Sequence, residues 1–214
     1  MTQRGPDIID LLAGIAPGDP LDEVRSRRPQ ARENAQRSFE ALLEPADPGT
    51  FLLAERYAIA AFVAALHGFD RAAEFYGDLL GDEAAGLAAV VDGAARSGAT
   101  RGPYGDYREP ALQGENVAGL RWTPDAATVA AGGERLAAAL AHAHLLVFRP
   151  REARPEALRA LADAGWDADD IVSLSQLIAF LTFQVRVAWA LRVLAANPAA
   201  PHPAGTGATT QEGA

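Results

Sequence analysis

Near the C-terminus, residues 167–195 read DADDIVSLSQLIAFLTFQVRVAWALRVLA. A helix of this length carries apolar side chains nearly all round its circumference, which implies burial on all sides. Other helices must therefore surround it, and the expected fold class is all-α. Asp167, Asp169 and Asp170 stand at its start, where the macrodipole favours negative charge. At 100° per residue, Ser175, Thr182, Arg186 and Trp189 share one stripe. Buried there, Arg186 would need a partner: an acidic side chain, a neighbouring subunit or an anionic ligand. Ser175 and Thr182 would be buried polar or interface groups beside it, while Gln176 and Gln184 would bond to neighbouring helices.

The rest of the chain has the same helical character. Residues 1–48 form a lead-in of three short helices: one around Ile8 to Ile15, one near Leu21 to Arg27, and one from Pro29 to about Leu43. From Thr50 apolar residues recur at steps of three and four as far as Leu66, and Gly68 is placed to end that helix. Asp70 to Leu80 follows, and Gly81-Asp82 opens another helix reaching about Ala95. Glu134 to Val147, Pro155 to Ala164 and the terminal helix complete a main domain over 49–195. Between them lies SGATRGPYGDYREPALQGENVAGLRWTP, 28 residues from Ser97 to Pro124. So long a loop covers a site, embraces a partner or links two halves. The tail over 196–214 has no apolar pattern and is expected to be disordered.

Composition excludes whole classes of chemistry. The 214 residues include no cysteine and no lysine, so thiolate nucleophiles, Cys-ligated metals, Schiff-base lysines and P-loop lysines are all ruled out. A net charge of −9 repels phosphate backbones, so no nucleic acid is expected as a partner. Acidic residues and prolines interrupt the first apolar segment, which reads as neither a signal peptide nor a membrane span. A cytoplasmic protein without membrane contact is the expectation.

The segments LAERYAIAAFVAALHGF and RPREARPEALRALADAGWDADDIVSLSQLIAFLTFQVRVAWALRVL resemble the carboxymuconolactone decarboxylase superfamily, in its AhpD-like alkylhydroperoxidase branch. The resemblance covers roughly Thr50 to Leu194. It implies an AhpD-like helical domain with two related helical halves, usually a homo-oligomer. Redox members of that family carry a Glu on one helix, a Cys-x-x-Cys pair opening the next and a His one turn later. There the helix terminus lowers a thiol pKa, and Glu and His relay protons.

Laid on that pattern without gaps, Tyr57 stands at the relay Glu, Phe69 and Ala72 at the two cysteines, and Tyr76 at the His. A shifted register makes Glu55 the relay acid and puts His67 and Asp70 at the thiol positions. Neither supplies sulfur, so thiol peroxidase chemistry is excluded, and no cofactor is expected.

Two functions remain open. In one, the chain binds a small molecule or serves as an accessory subunit, associating with a cysteine-bearing relative through residues 97–124. In the other, His67 performs cofactor-free proton transfer, decarboxylase-like, with Glu55, Tyr57 or Tyr76, and Asp70 can orient it. Against a catalytic His67 stands a helix-terminal imidazole bonding a free carbonyl, and against the tyrosines an aromatic filling of a vacated cavity. His142 and His144 lie about 200° apart on a helix, so they cannot chelate one metal. One is expected in the core and one in solvent, with no metal site.

Overall fold

The computed structural model describes residues 7–198, so the tail expected over 196–214 lies outside the described residues from 199 on, and Ala196 still belongs to the last helix. The fold is all-α. The lead-in comprises α1 (Ile8–Ala13), α2 (Pro20–Ser26) and α3 (Pro29–Leu43). They are followed by α4 (Leu53–Leu66), α5 (Asp70–Gly98), α6 (Ala126–Phe148), α7 (Pro155–Asp163) and α8 (Ala168–Ala196). Local chemistry sets the starts. Proline occupies the first turn of α2, α3 and α7, where its missing N–H costs nothing. Asp125 and Asp167 cap α6 and α8 by accepting from the backbone N–H of Thr128 and Asp170, each at 2.8 Å.

Helix α4 is the hub. Ala58, Ile59, Ala60, Phe62, Val63 and Ala64 are all fully buried, and the alanines let neighbouring backbones approach closely. Gly68, with φ of 64°, turns the chain so that α5 folds back along α4. Helices α8 and α6 cover its other faces, and α1 and α3 pack against α8. One core runs from Ile8 to Ala188, so the lead-in shares it with the main bundle.

The structure corrects several expectations. The break expected at Gly81-Asp82 falls slightly later, at Ala84 (φ −151°, ψ 69°), where the two segments of α5 meet at a kink. Helix α6 is two helical segments meeting at a kink at Gly133 (φ 75°, ψ 168°): the second is the one expected from Glu134, and the first, over 126–132, was not expected. Helix α8 is not buried on all sides. Val172, Phe183, Trp189 and Leu194 are each more than half exposed, although the helix is long and apolar enough to cross a membrane. Its inner face, with Leu174, Leu177, Ile178, Leu181, Val185 and Ala188, supplies the core. His142 and His144 are both buried, because α6 is covered by α4 and α8 on one side and by the long loop on the other. Gln184 does bond to a neighbouring helix, whereas Gln176 is exposed.

The long loop is tied to its own chain. Tyr104 donates its backbone N–H to Phe148 O at 2.6 Å, and Arg149 donates to Gly119 O at 2.9 Å. Trp122 packs its ring 5.2 Å from Phe62 and 5.5 Å from His144, and its indole N–H donates to Ser97 Oγ at 2.8 Å. Residues 108–121 remain exposed.

Candidate functional site

His67 follows the last residue of α4, where the helix gives way to the Gly68 turn. Its ring does not bond a free carbonyl. Nε2 instead shares a hydrogen bond of 3.3 Å with Thr182 Oγ1 on α8. That contact brings together two residues 115 positions apart in the chain.

Around them lies a cleft of about 490 Å³. Leu66, Pro103, Leu146, Val147, Phe148 and Pro150 make its apolar walls, and His67, Thr182, Arg186 and Thr100 bring polar groups to it. Arg186 sits one helical turn after Thr182, so both project from the same side of α8. The arginine is exposed, contrary to the burial expected of it, because none of the described helices covers this side of α8. No acidic side chain among the described residues pairs with it. Its charge is nonetheless felt: burial, helped by the nearby Arg186 guanidinium, pushes the His67 imidazole down to about 4. At neutral pH the ring is uncharged, one nitrogen donating and the other accepting. The cleft therefore presents one fixed positive charge, hydroxyls and a neutral imidazole against an apolar wall.

The other sequence candidates lie elsewhere. Glu55 is in the first turn of α4, about 18 Å from His67 along the helix at 1.5 Å per residue. It accepts from Leu52 N–H at 3.1 Å and from Arg135 Nε at 2.8 Å. Arg135 also holds Asp170 at 2.9 Å and lies 4.0 Å from the Trp166 ring centre, so Glu55 belongs to a structural clamp. Tyr57 is buried, its phenol pushed up first by desolvation and then by Glu44 and Glu83. Phe69 and Ala72 are buried and Asp70 is exposed. Ser175 donates to Ile171 O at 2.8 Å within its own helix.

Tyr76 is fully buried and donates its hydroxyl to Gln184 Oε1, and burial drives its phenol far above the ordinary range. The Gln184 amide nitrogen has no partner among the described residues. Tyr76→Phe alone should therefore cost about 1–3 kcal/mol, since it strands the amide oxygen as well. Tyr76→Phe with Gln184→Met should recover most of that loss, because both buried polar ends are then removed together. Urea denaturation of the two singles and the double would show it; additive losses would contradict the pairing.

Sequence reasoning missed Thr100 and Pro103, which reach the cleft only because the long loop folds over the end of α6. Nothing in their local pattern marks them. Thr182 and Arg186 were legible as a stripe, but which element faced that stripe was not. Among the described residues, no group of three His, Asp or Glu side chains is placed to hold a metal. His142 and His144 illustrate why: His144 shares a 3.0 Å hydrogen bond with Gly98 O, His142 is enclosed with both ring nitrogens unpaired, and burial lowers both imidazole pKa values. Compared with family models, with curated proteins and with solved structures, the chain gives no match in any of the three.

Proposed function

We propose that the chain is a redox-inactive relative of the carboxymuconolactone decarboxylase/AhpD-like proteins, with their two helical halves and oligomeric habit, that works by binding. Its ligand is a compact organic anion, a carboxylate on an apolar body, held in the His67 cleft. The observation that carries this reading is Arg186, an unneutralised guanidinium beside an apolar-walled cavity of about 490 Å³. Few polar groups converging on apolar walls is the usual constitution of a small-molecule site. Arg186 would take the carboxylate in its fork, and Thr182, Thr100 and His67 would complete the hydrogen bonds.

The competing reading, proton transfer by His67, is supported less well. An imidazole held near 4 is a weak base at neutral pH, and a general base works best with a pKa near the working pH. Glu55 and Tyr76 are both engaged away from the cleft. Association with a cysteine-bearing relative would use residues 108–121, the exposed part of the long loop.

Calorimetric titration with benzoate, against benzyl alcohol as the uncharged counterpart, tests the binding reading. Benzoate should bind and benzyl alcohol should not, and Arg186→Ala should weaken benzoate at least tenfold, about 1.4 kcal/mol. The His67 ring proton resonance reports the same event. Its titration midpoint should rise from about 4 when benzoate binds, since the anion offsets Arg186. In the free protein Arg186→Ala should also raise it, toward 6.5. The sign for stability follows: folding keeps His67 neutral, so its contribution is intact above pH 6.5 and is lost as pH falls from there toward 4. If no carboxylate of this size moves either signal, the proposal fails.

A further inference from the structure

A second groove lies on the neighbouring face of α8, about 100° round the helix from the cleft, between that helix and the α2–α3 corner, with a volume of about 350 Å³. Ile9, Ala31, Phe183 and Val187 line it, and Val24 forms its outer wall. Val24 and Phe183 are 50% and 51% exposed, so large apolar groups face solvent here with none of the described residues covering them. Four arginines surround this apolar strip: Arg25, Arg27, Arg28 and Arg32.

These arginines are not equivalent. Arg25 is bound to Asp7 and Asp10, and Arg32 to Asp7, Asp10 and Asp22, so their charge is answered within the fold. Arg27 and Arg28 are exposed and have no carboxylate partner among the described residues. On a chain of net charge −9, two free guanidinium groups border one uncovered apolar groove. Charge complementarity calls for an occupant with an apolar body and a negative end.

Size decides which kind. The seven residues of α2 span about 10 Å, which is too short a wall to cradle several turns of a partner helix but suits a single acyl chain. A second copy docking isologously would set Arg27 and Arg28 against their own counterparts. We infer that the groove formed by Ile9, Val24, Ala31, Phe183 and Val187 binds a single-chain amphiphile with an anionic head, a free medium-chain carboxylate, whose head is held by Arg27 and Arg28. This site is independent of the His67 cleft.

Decanoate, kept below its micelle-forming concentration, is the probe, titrated calorimetrically into the full chain. The titrations run in the Arg186→Ala background as well, so that occupancy of the cleft cannot be mistaken for occupancy of the groove. Decanoate should bind equally in both. Each methylene from octanoate to decanoate should tighten binding about fourfold, the factor for burying one CH₂. Arg27→Glu with Arg28→Glu should weaken decanoate at least tenfold, as should Phe183→Ser. All these positions are exposed, and an unchanged circular dichroism spectrum establishes that the variants fold. Decyltrimethylammonium, with the opposite head charge, should not bind.

Decanoate binding that is absent, that ignores these substitutions, or that vanishes with Arg186→Ala overturns the inference. So does a wild-type dimer that Phe183→Ser dissociates while decanoate gives no heat, because a second copy would then be the occupant. Benzoate binding at the cleft can succeed or fail separately from all of these results.

Discussion

Asp10→Ala should lower the stability of the protein by about 3–5 kcal/mol, the range for removing one partner from a buried ion pair. Asp10 is 1% exposed, and its two carboxylate oxygens accept from the guanidinium groups of Arg25 and Arg32. The same arginines hold Asp7 at 2.9 and 3.2 Å. With Asp10 gone, two arginines in the crevice between α1 and α3 would share a single well-buried carboxylate. Against a typical total of about 5–15 kcal/mol, that loss is large.

Urea denaturation measures the effect, and hydrogen exchange should locate it in α1 to α3 first. Asp10→Asn separates charge from shape and should lose most of the same stability. A loss under about 1 kcal/mol would mean that water enters and screens the network. The network also has a pH signature. Burial alone would raise the Asp7 carboxyl, but hydrogen bonds from Arg25 and the Asp10 N–H outweigh it and hold it below its usual 3.8. Its contribution is present above that value and drains away as pH falls below it.

Arg56→Met should cost about 2–4 kcal/mol, the second large effect. Arg56 is 6% exposed, and no carboxylate among the described residues pairs with it. Its guanidinium donates to Leu42 O at 2.6 Å, Phe51 O at 2.9 Å and Pro48 O at 3.5 Å, and lies 4.1 Å from the Phe51 ring centre. It thus satisfies the carbonyls where α3 ends and the chain crosses to α4. Methionine fills much of the volume but supplies no donor, and each stranded buried carbonyl costs about 1–3 kcal/mol. Some of them would find water at the edge of the site, which keeps the total below a simple sum.

Arg56→Lys is the sharper comparison. A single ammonium cannot reproduce the fork that serves three divergent carbonyls, so lysine should recover only part of the loss. Thermal unfolding of the two variants side by side gives the result. Full rescue by lysine would show that charge, and not the geometry of the guanidinium, is what matters at this corner.

Much of this protein can be read from local pattern. Asp167 before the last helical run, prolines opening α3 and α7, and Gly68 after the α4 run mark boundaries through chemistry that acts within one turn. Their effects do not wait for the rest of the chain. The failures have a different character. The helical turns over 126–132 are hidden in the sequence by the Gly132-Gly133 pair that ends them. Periodicity showed that His142 and His144 point in different directions, but not that α6 is covered on both.

Helix α8 divides the two kinds of knowledge most clearly. Its existence, its length and the shared side of Thr182 and Arg186 follow from spacing alone, because the α-helical repeat converts sequence position into direction. So does the absence of thiol chemistry, because the sequence contains no cysteine. Which directions on α8 meet core and which meet water was decided by the other helices. Only three-dimensional packing set Arg186 beside His67 and left Phe183 uncovered near Arg27 and Arg28, since burial is a property of neighbours far away in the chain.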